Sequence, residues 1–287
     1  MNALSLNIRG VSESHKVEWI RKIKIGHKID FIGIQETHVA DPGNIDIEGC
    51  WGSPNFEFEL VESQGRSGGL LSIWDPLIFT KHNVIKSKNF LAISGHWKGF
   101  SDTISMVNVY GPQSISDKRE VWVEILSLKD IIKGSWVIFG DFSAVRKPEE
   151  RLRSSFCKYS SSDFNKFICE FGLKEFAMGG CKFIYLRDDG SKLSKIDHFL
   201  VCNQFIQMQP HSTVTALAKE HSDHSRLFLT HSKANFGTPP FRFYNSWLLS
   251  SGFNEVFDNS WSTLRGFGTP DILLKAKIKW VKNATRS

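Results

Sequence analysis

The sequence predicts an α/β protein organised around layered sheets, from three features. Trp136, Val137, Ile138 and Phe139 form a continuous apolar run bounded by turn residues, which is how a strand covered on both faces is written. Strand-like segments follow one another closely at 56–60, 70–74, 77–84, 91–97 and 103–109. Segments with helical spacing fall between the strand groups, so that sheets and helices share one core. With 287 residues and 41% hydrophobic content the chain can bury such a core, and one main domain followed by a tail is expected.

Taken in order, 3–8 is the first strand, ending at the polar Asn7 followed by Arg9 and Gly10. A helix is expected over 16–25, where Val17, Ile20 and Ile23 recur at helical spacing with Trp19 at the edge of the apolar face. The next strand, 30–35, delivers Glu36 at its end. Phe56, Phe58 and Leu60 alternate with Glu57 and Glu59, the period of two that marks a strand with one wet face. Residues 65–69 are rich in glycine and lead into 70–74. Tyr110, Gly111 and Pro112 close the strand at 103–109. Ser116 is the expected cap of a helix running to about 132, with Val121, Ile125, Leu128 and Ile132 on one face. The apolar run at 136–139 then meets Gly140, which permits a sharp turn, and Asp141 stands at the carboxyl end of that strand, where sheet-based enzymes commonly place their chemistry. A helix over 161–171 uses Phe164, Phe167, Ile168 and Phe171 as its core face. Ser194 to Asp197 open a further strand through Phe199 to Val201, and the His221-Ser222-Asp223-His224-Ser225 loop precedes the apolar residues 227–229.

Charge and cysteine content narrow the function classes. The net charge is +6, but 271–287 holds five cations against the single acid Asp271, or +4 of that total, so the body is close to balanced and attraction for a polyanion must come from local patches. Cys50, Cys157, Cys169, Cys181 and Cys202 are widely spaced, odd in number and without a CxxC pair, which excludes a zinc site of the usual spacing and a disulfide framework. The start of the chain lacks the pattern of a secretory leader, and there is no uninterrupted apolar run of about 18 residues able to span a bilayer. A soluble intracellular protein is expected.

Glu36, Asp141, Asp197, Asp223 and His224 all fall at strand edges. Carboxylates gathered on one rim repel unless a cation neutralises them, and an all-oxygen ligand set suits Mg²⁺ or Mn²⁺ rather than zinc. Such a cation polarises a phosphoryl oxygen while a further carboxylate deprotonates or orients water, and a His held by an Asp can stay protonated beside the phosphoryl charge. Phosphodiester hydrolysis is the chemistry this combination suits.

The motifs Leu6-Asn7-Ile8-Arg9-Gly10, Gln35-Glu36-Thr37, Gly68-Gly69-Leu70, Asn108-Val109-Tyr110-Gly111-Pro112, Gly140-Asp141-Phe142, Ser194-Lys195-Ile196-Asp197 and Ser222-Asp223-His224-Ser225 stand in the order found in endonuclease/exonuclease/phosphatase domains. Over about residues 1–231 the chain most resembles the apurinic-like endonuclease of plant LINE-type (non-LTR) retrotransposons. The resemblance implies a DNase I-like, four-layered α/β sandwich of two mostly antiparallel sheets flanked by helices. It also implies Mg²⁺-dependent nicking of DNA, with Mn²⁺ able to substitute, by a monomer working in the nucleus. Carried over by position, Glu36 is similar to the main metal ligand, with Asp223 and Asn7 beside the metal or its waters. Asp141 resembles the water-activating residue, Tyr110 a phosphate-site group, and Asp197 the partner orienting His224.

Several positions depart from the family pattern: Leu6 stands where tryptophan often precedes the asparagine, and three further departures are expected to weaken activity. Ser143 stands where Gly-Asp-Phe-Asn has asparagine, Ile184 lies in place of the threonine of Phe-Thr-Trp, and His198 replaces the arginine after Ile-Asp. Weakened activity is the expectation. Residues 232–287 are read as a linker and basic helical tail, since Pro240 to Trp247 resembles the segment ahead of a reverse transcriptase, a domain expected in a full-length element but absent here. Two rival readings remain open: an inactive retroelement relic that at most binds nucleic acid, and a phosphatase or phosphodiesterase acting on a small molecule.

Overall fold

The computed structural model describes residues 1–64, 68–186, 191–231, 252–263 and 269–284. The chain divides into two compact units, Met1–Lys233 and Ala234–Ser287. The first unit opens with β1 (Asn2–Asn7), α1 (Ser14–His27), β2 (Phe31–Gln35), α2 (Ile47–Trp51), β3 (Glu57–Val61) and β4 (Leu70–Trp74). It continues with β5 (Phe79–Lys86), β6 (Phe90–Trp97), β7 (Thr103–Tyr110), α3 (Ile115–Ile131) and β8 (Ser135–Asp141). Then come β9 (Arg151–Leu152), α4 (Lys158–Phe171), β10 (Leu173–Glu175), β11 (Met178–Gly180), β12 (Tyr185–Leu186), β13 (Leu193–Ser194), β14 (Asp197–Cys202), α5 (Asn203–Met208), β15 (Ser212–Ala216) and β16 (Leu227–His231). The second unit contains α6 (Phe253–Thr263) and α7 (Pro270–Ala284). The expected turn at 65–69 lies in part, and the 240–247 stretch wholly, outside the described residues.

Two large sheets carry the first unit. One has the order β11-β15-β16-β1-β2-β4-β3 and the other β10-β14-β8-β7-β6-β5, while β12-β13-β9 form a small third sheet. Alternation along the strands builds the layers. In the first sheet Leu4, Leu6, Ile32, Ile34, Leu71 and Ile73 pack with Trp19, Ile20 and Ile23 of α1 and Cys50 and Trp51 of α2. Intervening residues such as Phe31, Leu70 and Trp74 turn the other way and meet Leu91, Ile93, Met106, Val137, Phe139 and Phe199 of the second sheet. On that sheet's far side Val107, Val109, Ile138 and Leu200 pack under Trp122 and Ile125 of α3 and Phe164, Phe167 and Phe171 of α4. The result is helix, sheet, sheet, helix, the expected four-layered sandwich. Each fully buried Phe or Leu in these layers contributes about 1.5–3 kcal/mol of transfer free energy.

Local differences from the sequence expectation have simple causes. Ser114, not Ser116, holds the cap position of α3, and its hydroxyl meets the Ser116 hydroxyl at 2.7 Å instead of a backbone N–H. Trp19 is buried, because its ring is covered by the loop that follows β15. Phe58 is 40% exposed despite its place in an alternating pattern, since β3 is the edge strand of its sheet. The short strands β9 to β13 and the helix α2 escaped notice because two to five residues carry too little periodicity to be read.

The parallel pairs β1–β2 and β7–β8 set the direction of everything functional. Asn7 pairs with Gln35 and Tyr110 with Asp141, so four motif-bearing strands finish at one end of the sandwich. Antiparallel β14 begins there, with Asp197 opposite Asp141. Behind that end the two sheets are tied by buried amides: Gln35 Nε2 donates to Asn108 Oδ1 at 2.6 Å, and Asn108 Nδ2 donates to the carbonyls of Ile34 and Leu71 at 3.2 Å. A hydrogen-bonded polar bridge in an apolar interior fixes the register of the two sheets.

Candidate active site

The cleft at this end encloses about 350 Å³ and is lined by residues that include Arg9, Glu36, Tyr110, Asp141, Asp223 and His224. Asn7, the last residue of β1, donates from Nδ2 to Glu36 Oε1 at 2.8 Å and to Asp141 Oδ2 at 3.1 Å. Its Oδ1 is buried and has no hydrogen-bond partner. Glu36 follows β2 in a left-handed backbone conformation with φ +54°, held because its carbonyl accepts from Gly10 N–H at 2.7 Å and the next N–H donates to the Gly69 carbonyl at 3.2 Å. Arg9 and Ser143 are left-handed too, at φ +49°. Non-glycine residues in this region store strain of about 1–3 kcal/mol each, and such strain gathers at functional sites. Lys16 on α1 supports the first turn by donating to the carbonyls of Ile8, Arg9 and Gly10 at 3.0–3.3 Å.

Gly140 explains how Asp141 reaches the cleft. Its φ of +130° and the 2.1 Å that would separate a Cβ from the Val109 carbonyl oxygen leave room for glycine alone. Asp141 is buried, and its Oδ1 accepts from the Ser143 N–H at 2.7 Å. Burial, the Asp197 charge and the nearby Glu36 push its carboxyl up to about 7 against the opposing pull of His224 and of the Ser143 N–H. His224 is buried beside it, with Nε2 at 4.0 Å from Asp141 Oδ2 and Nδ1 at 2.8 Å from Asp197 Oδ2. Burial by itself would lower the imidazole, but the Asp197 charge and hydrogen bond, with Asp141 and Asp223, raise it to about 9. The imidazole is therefore cationic at neutral pH and suited to meeting negative charge. Tyr110 hydrogen-bonds Glu36, and burial together with the Glu36 and Asp141 charges drives its hydroxyl well above the ordinary range, so it acts as a donor and not as a phenolate.

Glu36, Asp141 and His224 offer ligand atoms within 4.8 Å of one another. The two carboxylates of Glu36 and Asp141, the second with its charge disfavoured by burial, and the adjacent orphaned amide oxygen on Asn7 form an oxygen-rich donor set that fits a hard divalent cation. The imidazolium of His224 is the member least able to act as a ligand. Asp223 faces the same cleft but lies outside that group: its Oδ2 pairs with Arg9 Nη1 at 2.6 Å. Seven of the eight predicted site residues thus stand around the cleft or directly behind it in three hydrogen-bonded groups, Tyr110 with Glu36, Asn7 and Asp141, His224 with Asp197, and Asp223 with Arg9, and Ser143 joins the first through its backbone N–H.

The three departures differ in consequence. Ser143 lines the cleft, where its Oγ accepts from Gln113 Nε2 at 3.0 Å while its carbonyl accepts from Lys118 Nζ at 2.7 Å. Ile184 is fully buried in the core between the sheets. His198 is buried behind the site, with Nδ1 at 2.7 Å from Glu175 Oε1 and Nε2 at 3.0 Å from the Ala144 carbonyl, where it supports the loop after Asp141. Sequence reasoning overlooked Arg9 and Gln113 as site residues, although both sit inside quoted or adjoining motifs; their long side chains reach the cleft from turns, and only the fold gives that direction.

No family model and no curated protein matches the chain. Solved structures do. The AP endonuclease LMAP from Leishmania major superimposes with a TM-score of 0.62 at 12% identity, covering 79% of this chain and 86% of that one. The 3′-5′ exonuclease NExo from Neisseria meningitidis gives 0.63 at 13% identity, covering 80% and 99%. The endonuclease domain of TRAS1, a telomere-specific non-LTR retrotransposon, gives 0.56 at 14% identity, covering 79% and 96%. Two mixed sheets flanked by helices, superimposing on these enzymes over most of their length, give the chain the DNase I-like α/β fold of the AP endonucleases and their endonuclease/exonuclease/phosphatase neighbours.

Proposed function

We propose that this protein is a divalent-metal-dependent phosphodiester hydrolase that nicks DNA, of the kind encoded by non-LTR retrotransposons, with Mg²⁺ as its cation. The carrying observation is the Asn7, Glu36, Asp141, His224 and Asp197 cluster at the strand ends of a nuclease fold. Glu36 would hold the cation with the Asn7 amide oxygen at its side. When bound, the cation supplies Lewis-acid polarisation of a phosphoryl oxygen and charge stabilisation for the departing alkoxide. Asp141, with a carboxyl near neutrality, accepts a proton from the attacking water, and its Ser143 N–H contact keeps it oriented. His224, fixed by Asp197 and cationic at neutral pH, donates toward the phosphoryl oxygens, and Tyr110 donates from beside Glu36. Ser143 is the one departure that touches this chemistry; Ile184 and His198 are absorbed into packing, which favours reduced activity over an inert relic.

The DNA substrate is supported by the structural neighbours, among them a Neisseria 3′ phosphatase bound to a product DNA hairpin. That neighbour also keeps a 3′-phosphatase activity on DNA ends as a second reading. Residues 1–231 are proposed to be the catalytic domain and 232–287 a linker and basic tail leading toward a reverse transcriptase, within a monomer acting in the nucleus. Among the described residues no helix is long and apolar enough to cross a membrane.

The test is nicking of supercoiled plasmid, and release of phosphate from 3′-phosphorylated duplex ends, in Mg²⁺, in Mn²⁺ and in excess chelator. Cation-dependent nicking that disappears in a folded Glu36→Ala protein is expected. Equal nicking in chelator, or by Glu36→Ala, would sink the assignment.

A further inference from the structure

Three acids, Glu36, Asp141 and Asp223, line the cleft and a fourth, Asp197, is buried directly behind it; two of the four are closely paired with cationic side chains of the chain. Asp197 receives the His224 imidazole at 2.8 Å, and Asp223, with its side chain only 7% exposed, receives the Arg9 guanidinium at 2.6 Å. Glu36 and Asp141 are joined through the Asn7 amide and meet imidazoles, His38 Nε2 at 3.2 Å from Glu36 Oε2 and His224 Nε2 at 4.0 Å from Asp141 Oδ2. Their carboxylate oxygens gather at one point and offer a single cation its donor set. A second cation would need Asp223, whose Oδ2 is already held by the Arg9 guanidinium at 2.6 Å.

The geometry points to a one-cation site in which Arg9 takes the place of a second metal ion, held by Asp223 and presented to a phosphate of the substrate. This rests on the metal-dependent reading given above and adds the stoichiometry and the residue that sets it. Arg9 is equipped for the part. Its side chain is 48% exposed and faces the cleft, its backbone is fixed in the left-handed region, and its carbonyl is tied down by Lys16. A guanidinium delivers a permanent positive charge and a planar donor fork matched to phosphate oxygens. Asp223 then acts as a positioning residue through Arg9, not as a metal ligand.

The experiment is equilibrium dialysis and titration calorimetry with Mn²⁺ on the intact chain, followed by DNA binding in the absence of any divalent cation. Native protein should take up one Mn²⁺ per chain. Arg9→Gln should take up two, because Asp223 is released, and Arg9→Lys, which keeps a cation there, should stay at one. Asp223→Asn should hold its single Mn²⁺ within about threefold of the native affinity, and should weaken metal-free DNA binding to the level of Arg9→Gln; a loss of tenfold or more in Mn²⁺ affinity, about what disturbing a ligand or its direct support costs, overturns the inference. Two Mn²⁺ on the native protein, or one on a folded Arg9→Gln protein, overturns it as well. No saturable Mn²⁺ on the native protein would overturn the metal-dependent reading itself, so the two failures are distinguishable. Should Arg9→Gln misfold by circular dichroism, the Asp223→Asn affinity alone decides.

Discussion

Replacing Ser143 by asparagine tests whether the one departure inside the cleft limits catalysis. The backbone there is left-handed, φ +49°, a region that asparagine tolerates better than serine. The local gain is up to about 1 kcal/mol, worth about 2–4 °C in Tm for a domain of this size. Against it stands the hydrogen bond that Gln113 Nε2 gives to Ser143 Oγ at 3.0 Å, worth about 0.5–1.5 kcal/mol if the asparagine cannot accept it in the same place. The two nearly cancel, so Ser143→Asn should fold with stability close to native. The backbone N–H to Asp141 and the carbonyl to Lys118 do not depend on the side chain and should survive. Activity should move further. A preorganised donor at the reacting phosphate is worth roughly 10²–10³-fold in rate. Because the Gln113 amide already stands beside the serine hydroxyl, part of that function is in place, and we expect a rise of about 10- to 100-fold in kcat with little change in KM. The assay is the initial rate of plasmid nicking at saturating Mg²⁺ for native, Ser143→Asn and Glu36→Ala proteins, with circular dichroism and Tm for each. A folded Ser143→Asn protein no faster than native would refute the reasoning.

Nicking should follow a bell-shaped pH profile: the acidic limb tracks loss of the Asp141 proton at or below about 7, because a bound cation shifts it down, and the basic limb tracks loss of the His224 proton near 9. Asp197→Asn should move the basic limb to lower pH; a rate that falls steadily from pH 6 to 8 would refute both roles. Behind the site, burial would raise Glu175, but His198 and Lys195 hold it well below the usual carboxylate range, so its contribution to stability is complete above its ordinary value of 4.5 and drains as pH falls below that. Glu175→Gln should therefore cost about 3–5 kcal/mol at neutral pH, from cationic partners left without their carboxylate, and progressively less in acid; denaturant unfolding at pH 7 and pH 3.5 measures this. A chain ending at His231 keeps β16 and its pairings with β1 and β15, so its Tm should match that of the full chain. It should bind duplex DNA more weakly and with a shallower salt dependence, having lost the α7 lysines Lys275, Lys277 and Lys279; an unchanged salt slope would place the DNA-binding surface on the first unit.

What the sequence by itself determined was whatever depends on local periodicity and chemistry. The run through Phe139 is a strand buried along its whole length, the helices of α1, α3 and α4 follow their apolar spacing, and Glu36 and Asp141 do terminate strands. Motif order sufficed for the layered fold, and a strand end fixes where Glu36 and Asp141 stand. Partnership was decided only by the tertiary structure. Nothing along the chain says that Asn7 bridges Glu36 and Asp141, that Asp223 belongs to Arg9, or that His198 lies in a buried polar cluster instead of the cleft. Those contacts join residues 29 to 214 positions apart, and Glu175 with His198 at 23, through long side chains whose direction is set by the packing of two sheets and their loops. Spacing carries the period of a helix or strand, while the pairing of charges in a cleft depends on distances that exist only once the sandwich has closed.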